Sequence, residues 1–307
     1  MEFIGLHSQI ARNNRRSVLL LLGFPALILI GIAIVMYFAF DGDMELVIPA
    51  LMRVVPIVFI AVGIWFLIAF LMHSSIIRAT TGARTLERRE NPRVYNLTEN
   101  LCMSVGMQMP KLYVIDSPVL NAYASGIDKN SYAVTLTTGI IDTLNDQELE
   151  GVIAHELTHI RNRDVRLLII SIIFVGIFAF IVEILFRSVL HGGRGRRDKS
   201  DGRVLIIALI IAIVVYFFSI LFRFALSRSR EYMADAGAVE LTKNGPALAS
   251  ALRKISGNSD LEASSDDIKE LYIDNSIKKQ GFFSFISGLF ATHPPIEKRI
   301  EILEHGL

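Results

Sequence analysis

Four long apolar runs dominate the hydrophobic pattern of this chain. They are Val18 to Phe40, Val54 to Ile77, Leu167 to Phe186, and Val204 to Leu226. Each is long enough to cross a hydrocarbon layer of about 30 Å as an α-helix, which takes roughly 20 residues. The third run contains Glu183 and the fourth contains Arg223. The pattern predicts two N-terminal transmembrane helices and a later hydrophobic helical hairpin that is transmembrane or membrane-inserted.

Shorter segments with helical or strand-like hydrophobic patterns lie between and after these runs. Helical patterns begin at Asn91 and Pro92, at Asn145, at Ser227, and at Asn244 to Pro246. Strand-like alternation covers Lys111 to Ile115, Asn121 to Gly126, and Ser131 to Thr138. A closing helix has a predicted buried stripe of Ile296, Ile300 and Leu303. We therefore expect a mainly α integral membrane protein with a small β region.

The runs divide the chain into four predicted parts. Residues 1–77 form a membrane anchor, 78–166 the first part of a catalytic domain, 167–226 the hydrophobic hairpin, and 227–307 the second part of the catalytic domain. The first run has no charge and is too long for a secretory signal, so the anchor should remain.

Composition supports a membrane protein. Hydrophobic residues make up 52% of the 307 residues, and the mean hydropathy is +0.48. Because a soluble protein of this size is less apolar, part of the chain should contact the lipid bilayer. A net charge of +1 gives no reason to expect a nucleic-acid partner. The single cysteine, Cys102, excludes an intramolecular disulfide.

Basic residues predict the orientation of the first two spans. The spans are flanked by Arg12, Arg15 and Arg16 on one side and by Arg78, Arg84, Arg88, Arg89 and Arg93 on the other. The connection between them carries Asp41, Asp43, Glu45 and only Arg53. The positive-inside rule places both flanks, and with them the catalytic domain, on the cytoplasmic side of a cell membrane.

The hairpin conflicts with this rule, because its connection is strongly basic. The connection contains Arg187, Arg194, Arg196, Arg197, Lys199 and Arg203. Either the hairpin crosses the membrane against the charge bias, or its tip stays cytoplasmic. We favour a spanning or deeply inserted hairpin.

The candidate chemistry lies in NDQELEGVIAHELTHIRNR, from Asn145 to Arg163. It contains H-E-x-x-H at His155, Glu156 and His159. Residues four apart share one face of an α-helix, so both imidazoles can bind one ion. Glu156 can reach a water molecule at the open position of that ion and take its proton. We predict one Zn²⁺ per subunit, with Glu156 as the catalytic base.

The sequence around this motif supports a helix. Asn145 is a good N-cap, and Glu148 falls where the carboxylate of a capping box would lie. The predicted buried side of the helix consists of Leu149, Val152, Ile153, Leu157 and Ile160.

A catalytic zinc ion needs a third protein ligand. The candidates are Glu183, Glu231 and Glu240. Glu183 follows His159 by 24 residues, and on one continuous helix it would lie about 36 Å away. A hairpin that enters and leaves the same membrane face brings Glu231 back beside the two histidines. Asp235, one turn further on, can accept the N–H of a ligating histidine, although it can also be an exposed helix charge.

Two further features are candidates for contact with the substrate. The strand containing Asn121, Ala122, Tyr123 and Ala124 is the candidate edge that accepts a substrate backbone, or it is an ordinary hairpin strand. His293 is the candidate second donor to the tetrahedral intermediate, or a structural cap of the last helix.

Several segments together resemble one family. They are HELTH, REYMADAGAV at Arg230 to Val239, NAYASG at Asn121 to Gly126, TTGIID at Thr137 to Asp142 and HPPIEKRI at His293 to Ile300. With the four apolar runs, they resemble the HtpX-like membrane zinc metalloproteases of the wider M48 group, which also includes the CAAX prenyl proteases. Where family members commonly have Pro-Asn-Ala-Phe, this chain has Leu120, Asn121, Ala122 and Tyr123.

The resemblance implies a set of roles. His155, His159 and Glu231 would be zinc ligands, Glu156 the base and Asp235 the supporting carboxylate. The implied activity is endoproteolysis in quality control of misfolded membrane proteins at the cytoplasmic face of the plasma or inner membrane. Protein or peptide segments near that surface would be the substrates. The alternatives are a CAAX-type processing protease and an inactive, zinc-stabilised membrane scaffold.

Overall fold

A computed structural model of the chain describes residues 6–191, 199–225, 228–256 and 294–305. Its longer helices are α1 (Leu6–Ala39), α2 (Met44–Thr81), α3 (Pro92–Ser104), α5 (Asp146–Arg161), α6 (Asp164–His191), α7 (Lys199–Ala225), α8 (Arg228–Thr242), α9 (Gly245–Ile255) and α10 (Ile296–His305). The remaining elements are β1 (Arg84–Thr85), β2 (Lys111–Ile115), β3 (Ala122–Ser125), β4 (Ala133–Thr137) and the short helix α4 (Thr138–Thr143). A mainly helical protein with a small sheet is confirmed.

The apolar runs form long helices. Among the described residues, three helical segments are long and apolar enough to cross a membrane: Asn14–Ala39, Met44–Thr81 and Asp164–Val189. The fourth run lies in α7, whose apolar stretch Gly202–Phe217 is shorter. By length and composition, the chain is a membrane protein.

The described residues divide into two compact units. The membrane unit contains Arg15–Met72 and Ile170–Arg223. Its helices pack through aromatic side chains. The Phe24 and Phe174 rings stack with centroids 4.6 Å apart, and Trp65 lies 4.8 Å from Phe180.

The catalytic unit comprises residues up to Asn14, His73–Ile169, and the described residues from Phe224 onward. It contains a four-stranded sheet in the order β1-β2-β4-β3. β2 and β4 are parallel, and β3 runs antiparallel to β4 with Ala124 opposite Val134. β3 therefore lies at one edge of the sheet within the described part of the chain.

Helix α5 forms the centre of the catalytic unit. Asn145 accepts a hydrogen bond from the Glu148 N–H at 3.0 Å, and the Glu148 carboxylate accepts one from the Asn145 N–H at 2.9 Å. The predicted capping box is confirmed. The five predicted apolar positions of α5 are all buried. Because Glu148, His155, Glu156 and Thr158 are buried as well, α5 is enclosed on nearly all sides.

Close approach of α8 to α5 depends on a glycine. A Cβ atom placed on Gly237 would lie 2.4 Å from the Thr158 Cγ2 atom, closer than packed atoms allow. Any larger residue at this position would push α8 away from α5. The small residue therefore permits the two helices to cross closely.

The closing helix differs from its prediction in one position. Ile296, Arg299 and Leu303 are the buried residues of α10, and Ile300 is only partly buried. The predicted stripe of Ile296, Ile300 and Leu303 was wrong at its centre. Residues 296, 299 and 303 also share one helix face, and a charged partner inside the unit favours the arginine there.

A serine and a lysine of α9 bind the Glu148 carboxylate of α5. Ser250 Oγ and Lys254 Nζ each donate a hydrogen bond to its carboxylate at 2.7 Å. Burial alone raises the pKa of Glu148. The hydrogen bonds from Lys254, Ser250 and the Asn145 backbone outweigh burial and hold the pKa below its ordinary value of 4.5.

Replacing Glu148 by Gln is expected to lower the free energy of unfolding by about 1–3 kcal/mol at neutral pH. Because the folded-state pKa of Glu148 is lowered, its stabilising contribution is complete above pH 4.5. The contribution disappears as the pH falls through the folded-state pKa. Unfolding of wild type and Glu148→Gln in detergent, from neutral pH to about pH 3, should show a difference that shrinks on acidification.

Glu150→Gln is the matched control on the same helix. Burial, and then repulsion from Asp146, raise the pKa of Glu150, so its charged form is disfavoured in the folded chain. This substitution should not destabilise the protein at neutral pH. Equal losses in both variants, or a Glu148→Gln loss that does not depend on pH, would contradict the account.

Candidate metal centre and active site

Helix α5 presents two imidazole rings to one point. The Nε2 atoms of His155 and His159 lie 3.2 Å apart. The ring planes are at 90° and the ring centroids are 4.7 Å apart. His155 is completely buried, and the His159 side chain is 14% exposed. The four-residue spacing thus turns both ring nitrogens toward the same small volume.

Helix α8 brings the Glu231 carboxylate to these rings. Its Oε1 atom lies 3.4 Å from His159 Nε2, and its Oε2 atom lies 3.6 Å from His155 Nε2. The other two candidates for the third ligand lie elsewhere. Glu183 pairs with Arg187 at 2.6 Å, and Glu240 lies 3.8 Å from Arg161.

The three side chains fit a tetrahedral metal ion. Their ligand atoms all lie within 4.8 Å of one another. Zinc ligands at about 2.0–2.2 Å in tetrahedral geometry are separated by about 3.3–3.6 Å. The observed separations of 3.2, 3.4 and 3.6 Å match that edge length. Two imidazoles and one carboxylate also leave one position open, which is typical of a catalytic site.

Asp235 lies behind the first ring. Its Oδ1 atom is 3.0 Å from His155 Nδ1, and the residue is 2% exposed. Arg299 holds the carboxylate from the other side, with Nε 2.8 Å from Oδ2 and Nη2 2.7 Å from Oδ1. Burial alone raises the pKa of Asp235, but the charge and hydrogen bonds of Arg299 lower it to about 2.

Carboxylates raise the proton affinity of both rings. Burial alone lowers the pKa of His159, but Glu231 and the hydrogen bond with Asp164 outweigh it and raise the pKa to about 10. Burial likewise opposes a charge on His155, and the nearby Asp235 and Glu231 carboxylates raise its pKa. The cluster therefore attracts positive charge between the rings, and a divalent cation must displace those protons.

Glu156 lies next to His155 in sequence and is 2% exposed. Burial raises its pKa, and the charges of the two histidines act in the opposite direction. The backbone of Ala124 on β3 lies close to this carboxylate and acts to lower its pKa. The candidate base is thus in contact with the edge strand.

The geometry of β3 agrees with a strand whose outer edge faces α5. Thr137 N–H donates to the Asn121 carbonyl, so the alternation of an antiparallel ladder turns the backbone groups of Ala122 and Ala124 away from β4. Tyr123, which stands where the family commonly has Phe, is 1% exposed. Its hydroxyl lies 3.0 Å from Thr81 Oγ1.

Two residues of this cluster were missed by the sequence analysis. Arg299 is 1% exposed and contacts Asp235, and its Nη1 atom lies 3.4 Å from Glu231 Oε2. Asp164 Oδ2 lies 3.2 Å from His159 Nδ1. The signal for Arg299 was its position three residues after Ile296 and four before Leu303. The predicted donor His293 lies outside the described residues.

An H-E-x-x-H helix, a carboxylate returned by a second helix and apolar helices of membrane-spanning length together define a membrane metalloprotease. The sequence model of Peptidase family M48 matches residues 88–306. The chain belongs to this family.

Curated relatives match over almost the whole chain. A protein described as "Protease HtpX homolog" from Bacteroides fragilis is 53% identical over 99% of both chains. One with the same description from Ligilactobacillus salivarius is 37% identical over 98% of this chain and 99% of its own. The solved structure of S. mikatae Ste24p is 21% identical, with a TM-score of 0.49, and covers 89% of this chain and 61% of that one. This last similarity is too low to support an argument about function.

Replacing Arg299 by Met is expected to destabilise the protein by about 3–5 kcal/mol, because the buried Asp235 carboxylate loses its cation. Thermal unfolding in detergent measures the loss. Asp235→Asn combined with Arg299→Met should recover part of it, since residue 235 then no longer carries a charge that needs a cation.

Arg253→Met is the matched control for Arg299→Met. Arg253 pairs with Glu304 of the same helix α10, but the Arg253 side chain is 51% exposed. This variant should unfold close to the wild-type temperature. If Arg299→Met also unfolded at that temperature, the charge of Asp235 would not depend on Arg299.

Proposed function

We propose that this protein is a zinc-dependent endopeptidase of the cell membrane that cleaves misfolded or membrane proteins on the cytoplasmic side. The observation that carries the proposal is the fit of His155, His159 and Glu231 to a tetrahedral ion with one open position. Membership of the M48 family and the 53% identical relative described as "Protease HtpX homolog" support the activity.

We assign each residue of the site a separate role in amide hydrolysis. His155, His159 and Glu231 would hold the ion, with Asp235 fixing His155. Zinc at this site supplies Lewis-acid chemistry, which polarises a carbonyl and acidifies water. Glu156 takes the proton from the attacking water and later passes it to the leaving amine. His293 stays our candidate for a further donor to the developing negative charge.

We assign binding of the substrate backbone to β3. The outward-turned carbonyl groups of Ala122 and Ala124 support this role, because an extended peptide can pair with such an edge. The Ala122 N–H donates to Asn121 Oδ1 at 2.8 Å, a bond that a substrate carbonyl would replace. The closeness of the Ala124 backbone to Glu156 supports this role further, since a peptide on this strand would lie beside the base. Asn121 and Tyr123, which alternate with them, hold the strand to its neighbours.

Charge distribution supports a cytoplasmic active site. Both flanks of the first two helices are basic, and their connection is acidic. Glu231 follows the last apolar run by only five residues, so substrates would be segments close to the membrane surface. Loops of other membrane proteins meet that requirement.

An ion pair within the membrane unit supports a spanning hairpin. Arg203, at the start of α7, lies 3.1 Å from Asp41 in the connection between α1 and α2. This contact supports placing Arg203 and that connection at the same membrane face. Because Asp41 offsets the charge of Arg203, the pair also eases the conflict with the positive-inside rule.

Glu156→Gln is expected to bind zinc as the wild type does and to lose about 100- to 10,000-fold in the rate of casein cleavage. Glu231→Ala is expected to lose both zinc and activity. Metal analysis of the purified proteins, together with the cleavage assay, tests the proposal. Glu240→Ala is the matched control, since that residue lies on the same helix away from the cluster and should change neither quantity. Wild-type cleavage by Glu156→Gln would refute the base, and normal zinc content in Glu231→Ala would refute the site.

Cysteine labelling in cells is expected to reveal the orientation. The native Cys102 is buried, and burial raises its thiol pKa to about 11, so its background reactivity should be low. Glu45→Cys and Arg203→Cys should react with a membrane-impermeant reagent in cells whose outer layers admit the reagent but whose cell membrane is intact. Lys129→Cys, in an exposed turn, should react only after the membrane is permeabilised.

Two results would contradict this topology. Labelling of Lys129→Cys without permeabilisation would reverse the orientation of the catalytic unit. Labelling of Arg203→Cys only together with Lys129→Cys would mean that the hairpin does not cross.

A further inference from the structure

We propose that Asp164 is a positioning residue that fixes the ring of His159 for metal binding, an inference that rests on the proposed zinc site. Asp164 opens helix α6 and is 4% exposed. Its Oδ2 atom lies 3.2 Å from His159 Nδ1. The histidine thus meets a buried carboxylate on the side of the ring opposite to the cluster.

The contact with Asp164 decides which nitrogen of the His159 ring carries the proton. A neutral ring carries one N–H, and the other nitrogen offers a lone pair. His159 Nε2 faces the cluster, at 3.4 Å from Glu231 Oε1 and 3.2 Å from His155 Nε2. To bind a metal there, the ring must keep its proton on Nδ1, and Asp164 accepts that N–H. Asp235 stands in the same relation to His155, so each ring has a carboxylate behind it.

A break between two helices brings Asp164 to the ring. On a continuous α-helix, residues five apart point about 140° away from each other. Helix α5 ends at Arg161, and Arg163 adopts φ +61°. A non-glycine residue rarely adopts this left-handed conformation, because its Cβ atom crowds the backbone. This conformation turns the chain back, and the first residue of α6 reaches the ring one turn behind it.

Two hydrogen bonds hold the chain in this turned position. Arg163 Nη1 donates to Asn14 Oδ1 at 2.9 Å. Arg230 Nη1, from the helix that carries Glu231, donates to the Asp164 carbonyl at 3.4 Å. The backbone of Asp164 is therefore fixed independently of its side chain, which leaves the carboxylate aimed at His159.

A simpler role for Asp164 would be to complement the dipole of α6, since acids are favourable in the first turn of a helix. Asp146 plays that part in α5, and its side chain is 74% exposed. The Asp164 side chain is only 5% exposed. A dipole contribution does not require burial, and burying a carboxylate without a specific partner is costly. The contact with His159 gives the buried carboxylate a specific partner.

Zinc affinity of the full-length protein in detergent, measured by competition with a chromophoric chelator, tests the proposal. Asp164→Ala should bind zinc about 10- to 100-fold more weakly than the wild type. Asp164→Asn should lose less, because its amide oxygen can still accept the Nδ1–H. Asp146→Asn removes a first-turn acid from α5 and should leave the affinity unchanged. With Co²⁺ in place of zinc, the visible absorption of Asp164→Ala should differ from that of the wild type, because the His159 ring is no longer held.

The results separate this inference from the proposed zinc site. Failure of the wild type to bind zinc, or normal binding by Glu231→Ala, would overturn the site and with it the role of Asp164. If Asp164→Ala unfolds at a lower temperature but keeps wild-type zinc affinity and the wild-type Co²⁺ spectrum, the residue only supports α6, and the inference fails while the site stands. If Asp164→Ala does not fold, Asp164→Leu decides, because it keeps a side chain of similar size but has no acceptor, and an affinity within about twofold of the wild type overturns the inference.

Discussion

Removing ionised carboxylates from water is the main energetic problem of this structure. Glu231 and Asp235 are 4% and 2% exposed, and an isolated carboxylate at such depth would be strongly unfavourable. Arg299 offsets part of that cost through two hydrogen bonds to Asp235 and a contact with Glu231. The remaining compensation comes from the imidazole rings of His155 and His159. The positions of α5, α8 and α10 can be understood as the means of bringing these charges together.

The site is assembled from segments that are distant in sequence. His155 and His159 come from one helix, Glu231 from another after the hydrophobic hairpin, and Arg299 from the last described helix. Gly237 allows α8 to approach α5 closely enough for the carboxylate to reach both rings. Because these partners compensate one another's charge, removing one should loosen the contacts among α5, α8 and α10. Binding of a metal ion would correspondingly stabilise the catalytic unit.

Local signals predicted the elements well. The capping box at Asn145 and Glu148, the Pro92 helix start and the three longer strands are set by residues close in sequence, and each appears at its predicted place. The return of Glu231 followed from chain connectivity. Arg299 and Asp164 escaped prediction because their roles depend on tertiary contacts. The sequence analysis treated the segment after His159 as one continuous helix and therefore missed Asp164. The sequence around Arg163 does not indicate a residue in the left-handed conformation.

The two units differ in how their charged side chains are compensated. In the membrane unit, Glu183 pairs with Arg187, and Asp41 with Arg203, so each of these charges is matched by one of opposite sign. Among the described residues around the two rings of the catalytic unit, the carboxylates of Glu156, Asp164, Glu231 and Asp235 outnumber the guanidinium groups of Arg230 and Arg299. A buried excess of negative charge is unstable unless something positive occupies its centre. The imidazole nitrogens and carboxylate oxygens are spaced like the corners of a small tetrahedron. A divalent metal ion fits this position better than two protons do, because two protonated rings would repel each other.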